Sequence, residues 1–591
     1  MTTPAAVPTP GPTPVPTPGP NPVPTSVPIP GPTSGGSDTA AHRIAAGYAT
    51  TAAAVTLGSV VLDAVADPTA LVKIPLSTFN RHGLVAGATG TGKTKTLQVI
   101  AEQLSAAGVP VFIPDVKGDL TGLFAPGEAS DRTTQRAAET GDDWAPAAFP
   151  VEFLSLAGQG DAVPVRATID SFGPILLSKV LGLNATQEST LGLIFHWADQ
   201  RTLPLLDLKD LRAVIMHLTS DEGKEDLREL GGVSKATAGV ILRAVTNLDA
   251  QGGDAFFGEP ELVVSDLIRL TPDGRGVITL LEVSELQTQP VLFSTFLMWL
   301  LAELFEELPE VGDLDKPKLV FLFDEAHLLF ADASKAFLQA VQQTVKLIRS
   351  KGIGVFFCTQ LPTDVPGPVL SQLGARIQHA LRAFTPDDQK ALAATVKTYP
   401  ITENYTLSTA LTNLGTGEAI VTVLSERGAP TPVAWTRVRA PRSLMAPAPA
   451  DAVANAIAGS PLFASYGQPV DRQSAYEMLT ARVAPTAEPG AAPVTIPNGP
   501  ATRVPSAPRV GADGWPSLVP EPYNPYLDEA SAPGPAPVTR RPRGQADGQP
   551  GSGGLDDMLN NPLVTSFMKS LGTSLGGAMG RSVFGTRKRR R

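Results

Sequence analysis

The chain has 591 residues, enough for three or four average domains, but its 57 prolines are concentrated at the two ends, which argues for one large folded unit between unfolded arms. A formal net charge of −10 excludes a globally basic surface, so any nucleic-acid contact must come from a local basic lining. The single cysteine, Cys358, excludes a disulfide framework and a multi-cysteine metal site and fits a reducing, cytoplasmic compartment.

In chain order, residues 1–44 form a Pro/Thr-rich arm with polyproline character and nothing to bury. It lacks the basic start and apolar centre of a secretory signal. Ile44–Leu62 is uncharged, but it is rich in Ala, Thr and Gly and lacks the dense large apolar residues of a membrane span. Globular patterning covers 45–445. Candidate strands are Gly83–Ala86, Val109–Pro114, Gly276–Glu282, Lys318–Phe323, Val355–Thr359 and Glu418–Leu424. Helical patterns separate several of them. Lys93–Ala107 places Leu97, Ile100, Ala101 and Leu104 on one face and stops at Gly108. Ser334–Lys351 carries Leu338, Val341, Val345 and Ile348, with Gly352 just beyond it.

About 170–267 is rich in helical patterns and reads as an inserted helical subdomain. Val291–Leu304 is strongly apolar but too short to cross a bilayer, and it reads as a buried helix. No transmembrane span is expected. Residues 446–482 form a helical extension and 483–554 a Pro/Ala/Gly-rich linker. The segment 555–591 is amphipathic and ends in five basic residues, Arg587 to Arg591, a solvated tail or a contact for an anionic polymer or membrane surface. Strands buried on both faces and alternating with helices indicate an α/β fold with a mainly parallel sheet.

The strongest chemical signal is Gly87-Ala88-Thr89-Gly90-Thr91-Gly92-Lys93-Thr94, followed by Lys95, which fits G-x-x-x-x-G-K-S/T between a buried strand and an amphipathic helix. Glycines let the backbone wrap closely around phosphates, so that amides and the helix N-terminus meet the negative charge. Lys93 would bridge the β- and γ-phosphates of ATP, and Thr94 would hold Mg²⁺. The second signal is Leu319–Phe323 running into Asp324 and Glu325. Five apolar residues make a buried strand whose end presents Asp324 to the metal. Glu325 is placed to polarise the attacking water, which favours hydrolysis over transfer.

Weaker signals accompany these. Gln360 ends the strand beginning at Val355 and is a candidate γ-phosphate sensor. Arg376 and Arg382 are candidates for an arginine finger that reaches a neighbouring subunit. Asp115-Val-Lys-Gly-Asp119 borders the nucleotide or a substrate channel, or is a plain turn. His327 reads as a hydrogen-bonding neighbour of the site rather than a ligand.

Together, Asn80–Gln98, Pro114–Leu120, Phe256–Pro260, Leu308–Pro317, Phe323–Phe330 and Arg376–Arg382 resemble the bacterial HerA-like helicase/ATPase family, in the HerA/FtsK branch of P-loop motors. The resemblance covers about 45–445. It implies a RecA-like core and a hexameric homo-oligomer that translocates on double-stranded DNA. It gives Lys93, Thr94, Asp324, Glu325 and Gln360 the nucleotide-site roles above, and makes Arg376 or Arg382 the trans-acting finger. Gly415-Thr-Gly-Glu418 resembles an element these motors carry near the nucleotide. The chain departs from HerA proper in showing only a Pro-rich arm and a short stretch before the P-loop, with no recognisable N-terminal β-barrel. The expectation is an ATP-hydrolysing helicase or translocase, with an ATP-driven switch or assembly ATPase as the alternative. A P-loop kinase is disfavoured by the adjacent Asp-Glu pair. A tandem-motor helicase is disfavoured by the single P-loop.

Overall fold

The computed structural model describes residues 39–156, 160–226, 232–283, 290–312, 314–330 and 335–483. The Pro-rich arm up to residue 38, the linker and the amphipathic basic segment lie outside the described residues.

Twelve strands form one sheet. They are β1 (Ala54–Leu62), β2 (Val65–Pro75), β3 (Gly83–Ala86), β4 (Val111–Asp115), β5 (Val151–Leu156), β6 (Val163–Val165), β7 (Ile278–Glu282), β8 (Leu319–Phe323), β9 (Ile353–Thr359), β10 (Ala375–Gln378), β11 (Glu418–Thr422) and β12 (Ala434–Val438). Their spatial order is β2-β1-β12-β11-β10-β3-β9-β8-β4-β7-β5-β6. From β10 to β6 every pairing is parallel. From β10 to β2 every pairing is antiparallel. This is the α/β, RecA-like P-loop arrangement, in which the strand entering the glycine loop (β3) and the strand ending in the acid pair (β8) are held apart by one strand, β9.

Parallel strands need crossover connections, and the helices that supply them cover both sheet faces. Accordingly β3, β4, β8 and β9 are buried at every position. Phe321 and Phe323, two residues apart on β8, share a face, because side chains alternate along a strand. Phe321 packs against Phe112 of β4 with ring centroids 5.1 Å apart, and Phe323 against Phe357 of β9 at 5.5 Å. These aromatic contacts lock β4, β8 and β9 laterally, which fixes where the ends of those strands lie. The helix Pro290–Glu307 is core, with Phe296, Trp299 and Leu300 fully buried. No helix among the described residues is long and apolar enough to cross a membrane.

The stretch preceding the glycine loop holds more structure than its composition suggests. A helix, Ala40–Ala46, is followed by the β1–β2 hairpin, which joins the sheet through β12. Its two-residue turn, Asp63-Ala64, has φ of +50° and +64°, the geometry that twisted hairpins favour. Between β6 and β7 lie the helices Ile169–Val180, Ala185–Gln200, Leu208–Thr219 and Lys235–Ala250. The chain beyond β12 returns over this region: the Ser474 hydroxyl meets Asp210, and the Tyr466 hydroxyl donates to Asp266 at 2.5 Å.

Candidate functional site

The glycine loop is shaped by its main chain. The Gly87 N–H donates to the Thr359 carbonyl at 3.2 Å, and the Ala88 N–H to the Ala380 carbonyl at 2.8 Å, so the loop is tied to the ends of β9 and β10. Gly90 and Gly92 have φ of +79° and +110°, values that side-chain-bearing residues rarely adopt. At Gly92 a Cβ would also stand 3.1 Å from Gly417, whose own N–H donates to the Thr91 carbonyl at 2.9 Å. Gly417 therefore braces the loop from the β11 side. Arg136 holds it there, donating to the Gly417 carbonyl at 3.0 Å. Glu418 turns away from the loop, to Trp435 and Arg437.

The helix Lys93–Ala106 starts directly from Gly92, so its unsatisfied N-terminal amides and dipole point at the loop. Lys93 is buried, and its ammonium lies over the loop, 3.3 Å from the Ala88 carbonyl. Thr94 is half-buried in the first turn. Thr89 and Gly90 are exposed at the mouth, where a Cβ on Gly90 would meet nothing. The Lys95 ammonium is engaged elsewhere, by Gln98 Oε1 at 3.1 Å. Beneath the loop, His379 is fully buried, with Nε2 2.9 Å from Thr96 Oγ1, and burial pushes its imidazole down to about 4.

One strand beyond β9, β8 ends at Asp324 and Glu325, both nearly buried. Asp324 Oδ1 accepts the Glu325 N–H at 2.9 Å, and Glu325 has φ of +46°, an uncommon backbone state for a residue with a side chain. Burial raises Asp324 above the usual carboxylate range, the charge of Glu325 adds to that, and the Cys358 thiol opposes it. Burial also pushes Glu325 upward, but the Lys117 ammonium on Oε1, with His327 and Lys93 behind it, holds it below the usual range. His327 Nδ1 stands 3.2 Å from Glu325 Oε2 without hydrogen-bond alignment. Asp115 anchors the loop after β4, accepting the Gly118 N–H at 2.8 Å and the Leu120 N–H at 3.0 Å. Burial, helped by Asp119 and Asp324, raises it to about 6.

Two of these oxygens, Asp324 Oδ2 and Glu325 Oε2, are buried and have no hydrogen-bond partner. Buried carboxylate oxygens are rarely left so unless a cation or water completes them. No three His, Cys, Asp or Glu residues among those described form a self-sufficient metal cage. That suits Mg²⁺, which takes one or two protein groups and completes its shell with phosphate and water. The residues present therefore fit a magnesium–triphosphate: amides, Lys93 and a hydroxyl on one side, and two acids on the other.

The remaining candidates separate. Gln360 is exposed at the end of β9, between the loop and the acids. Arg382 is exposed and reaches the loop of its own chain, with one guanidinium nitrogen 3.4 Å from the Thr89 carbonyl. Arg376 is not in this cluster. It lies inside β10, opposite Leu84 and Thr422, half-buried near Tyr399 with one guanidinium nitrogen unpaired. Three residues at the site, Lys117, Gly417 and His379, are not individually marked by the sequence. The Asp115–Asp119 loop and the Gly415–Glu418 element are the signals for the first two, and the motif Arg376–Arg382 spans the third.

The model of the helicase HerA-like C-terminal family matches residues 62–506. No curated protein matches the chain. Among solved structures, it resembles the bacterial conjugative coupling protein TrwBdeltaN70 at 14% identity, covering 69% of this chain and 94% of that one with a TM-score of 0.46. A form of the plasmid coupling protein TrwB in complex with ADP and Mg²⁺ gives 15% identity, 68% and 94% coverage, and a TM-score of 0.44. VirB4 of Thermoanaerobacter pseudethanolicus gives 15%, 65% and 96%, with a TM-score of 0.41. Likenesses this distant assign no residue roles.

Proposed function

The chain belongs to the helicase HerA-like C-terminal family, and on that premise we propose that it binds ATP with Mg²⁺ at Gly87–Thr94 and hydrolyses it to drive movement on double-stranded DNA. The observation that carries the ATPase reading is the meeting, across one strand, of a glycine loop with a buried lysine and two buried carboxylates with unpartnered oxygens. In this reading Thr94 and Asp324 hold the metal, which would supply positive charge to the phosphates. Loop amides and Lys93 bind the triphosphate. Glu325 takes up a proton from the attacking water.

Family membership supports the motor part, together with a loop mouth, Thr89 and Gly90, that is exposed. A homo-oligomer of this chain, hexameric by family resemblance, would place a neighbour's arginine at that mouth. Of the two candidates, Arg382 is exposed and stands over the loop of its own chain, where it would act in cis on the nucleotide that chain binds. The test is the ATPase rate with and without duplex DNA, together with particle mass in bound nucleotide. The motor reading predicts DNA stimulation by a multi-subunit particle. A monomer whose rate ignores DNA would instead favour an ATP-driven switch or assembly ATPase.

A further inference from the structure

The loop after β4 carries two charged residues, Lys117 and Asp119, outside the roles assigned to the nucleotide site. β4 pairs with β8, with Val111 opposite Val320 and Phe112 opposite Phe321, so the loop after β4 emerges beside the end of β8. There the Lys117 ammonium is in ion-pair contact with Glu325 Oε1. The partners are unequal: the lysine side chain is 44% exposed and the glutamate side chain 8%.

Both backbones are already fixed. The main chain around Lys117 is pinned by Asp115, which accepts the N–H groups of Gly118 and Leu120. That of Glu325 is pinned by Asp324 at its own N–H and by the Ala326 N–H, which donates to the Cys358 carbonyl at 2.7 Å. What remains is the rotation of the glutamate side chain, which Lys117 restrains at Oε1, while His327 Nδ1 stands 3.2 Å from Oε2 without hydrogen-bond alignment. With Oε1 taken, Oε2 is left buried and without a hydrogen bond. The other charged or titratable groups around the pair are Asp324, His327, Lys93, Asp119 and the Cys358 thiol.

Resting on the ATPase reading, we propose that Lys117 is a positioning residue for hydrolysis, holding Oε1 of Glu325 so that Oε2 is the oxygen presented to the attacking water. The water oxygen forms the new bond to the γ-phosphorus, and the bond from that phosphorus to the β–γ bridging oxygen breaks. ADP leaves with that electron pair, and the water proton passes to Oε2. A carboxylate free to rotate would spend much of its time misaimed, and misplacement on the scale of an ångström is enough to lose rate.

Four variants decide it: Lys117→Met, Lys117→Arg, Glu325→Gln and the Lys117→Met/Glu325→Gln pair. Lys117→Met is expected to lower kcat by about tenfold or more while leaving KM and the dissociation constant for magnesium–ATP unchanged. Lys117→Arg, which keeps the charge, should recover most of that loss. In single-turnover assays Lys117→Met should cause no further fall once Glu325 is Gln, because the group it positions is gone. Unequal nucleotide affinity, failed rescue by arginine, or losses that multiply in the pair would overturn the proposal. A wild type that turns over ATP beside an unaltered Lys117→Met sinks this inference alone. A wild type that does not hydrolyse ATP sinks it together with the reading on which it rests.

Discussion

The loop Gly87–Thr94 and the pair Asp324–Glu325 follow the C-terminal ends of two central strands, β3 and β8, a single strand apart, yet they are held in opposite ways. The loop is a main-chain object. Its amides bond to the ends of β9 and β10, glycines supply its turns, and Gly417 braces it through another amide. The acids are a side-chain object, set by Lys117, Cys358 and one strained backbone position. Main-chain architecture binds a ligand whose charge does not change much, whereas side chains with adjustable partners handle the proton and the metal. The comparison predicts that damage to one wall removes affinity and damage to the other removes turnover.

The sharpest break between the two is expected at Glu325→Gln. It should bind ATP as the wild type does and lose turnover by about 10²–10⁴-fold, as removal of a general base does. Equal turnover would show that another group manages the water. Lys93→Ala acts on the other wall and should weaken magnesium–ATP binding by roughly 10- to 100-fold, the worth of a charge-assisted contact. Direct titration with a non-hydrolysable analogue measures it. Gly92→Ala tests whether the loop is truly a main-chain device. Its φ of +110° and the 3.1 Å approach to Gly417 leave no strain-free place for a methyl group. A stability loss of about 1–3 kcal/mol and weaker nucleotide binding should appear together, read by denaturant unfolding and titration.

How much of this was readable beforehand follows the same division. The glycine loop was legible because its chemistry is local: eight consecutive residues carry the turn, the amides and the ammonium. β8 was legible because a five-residue apolar run is the length of a strand buried on both faces and too short for a buried helix. The β1–β2 hairpin was not, because Asp63-Ala64 replaces the Asn-Gly or Asp-Gly that normally announces such a turn, and β2 contains Asp67, Pro68 and Lys73. β10 is four residues long and contains Arg376 and Gln378, so no apolar run marks it. Lys117 and Glu325 are 208 positions apart, and only the adjacency of β4 and β8 brings them together. Arg376, a candidate finger from its place in a motif, sits half-buried within β10, a strand that no apolar run announces.

The smallest expected effect concerns two buried histidines, His82 just before β3 and His379 just after β10. His82 is buried, and its Nδ1 accepts the Val355 N–H at 3.1 Å, which requires that nitrogen to carry no proton. Burial lowers His82 from 6.5 to about 4, and His379 likewise. The unfolded chain takes up these protons near pH 6.5, while the folded chain resists until about 4. Their contribution to stability is therefore fully present above 6.5 and lost as pH falls toward 4. The unfolding midpoint should drop across that window, and His82→Asn, which removes one of the two titrating groups, should make the slope shallower.

The most direct measurement is calorimetric titration of purified wild-type protein with ATP, with and without magnesium. Saturable binding in the range of about 1 μM to 1 mM, stronger when magnesium is present, is expected. Absence of binding at millimolar ATP with magnesium would contradict it, because the loop amides, Lys93 and the two unpartnered carboxylate oxygens would then have been assigned to a ligand they do not hold.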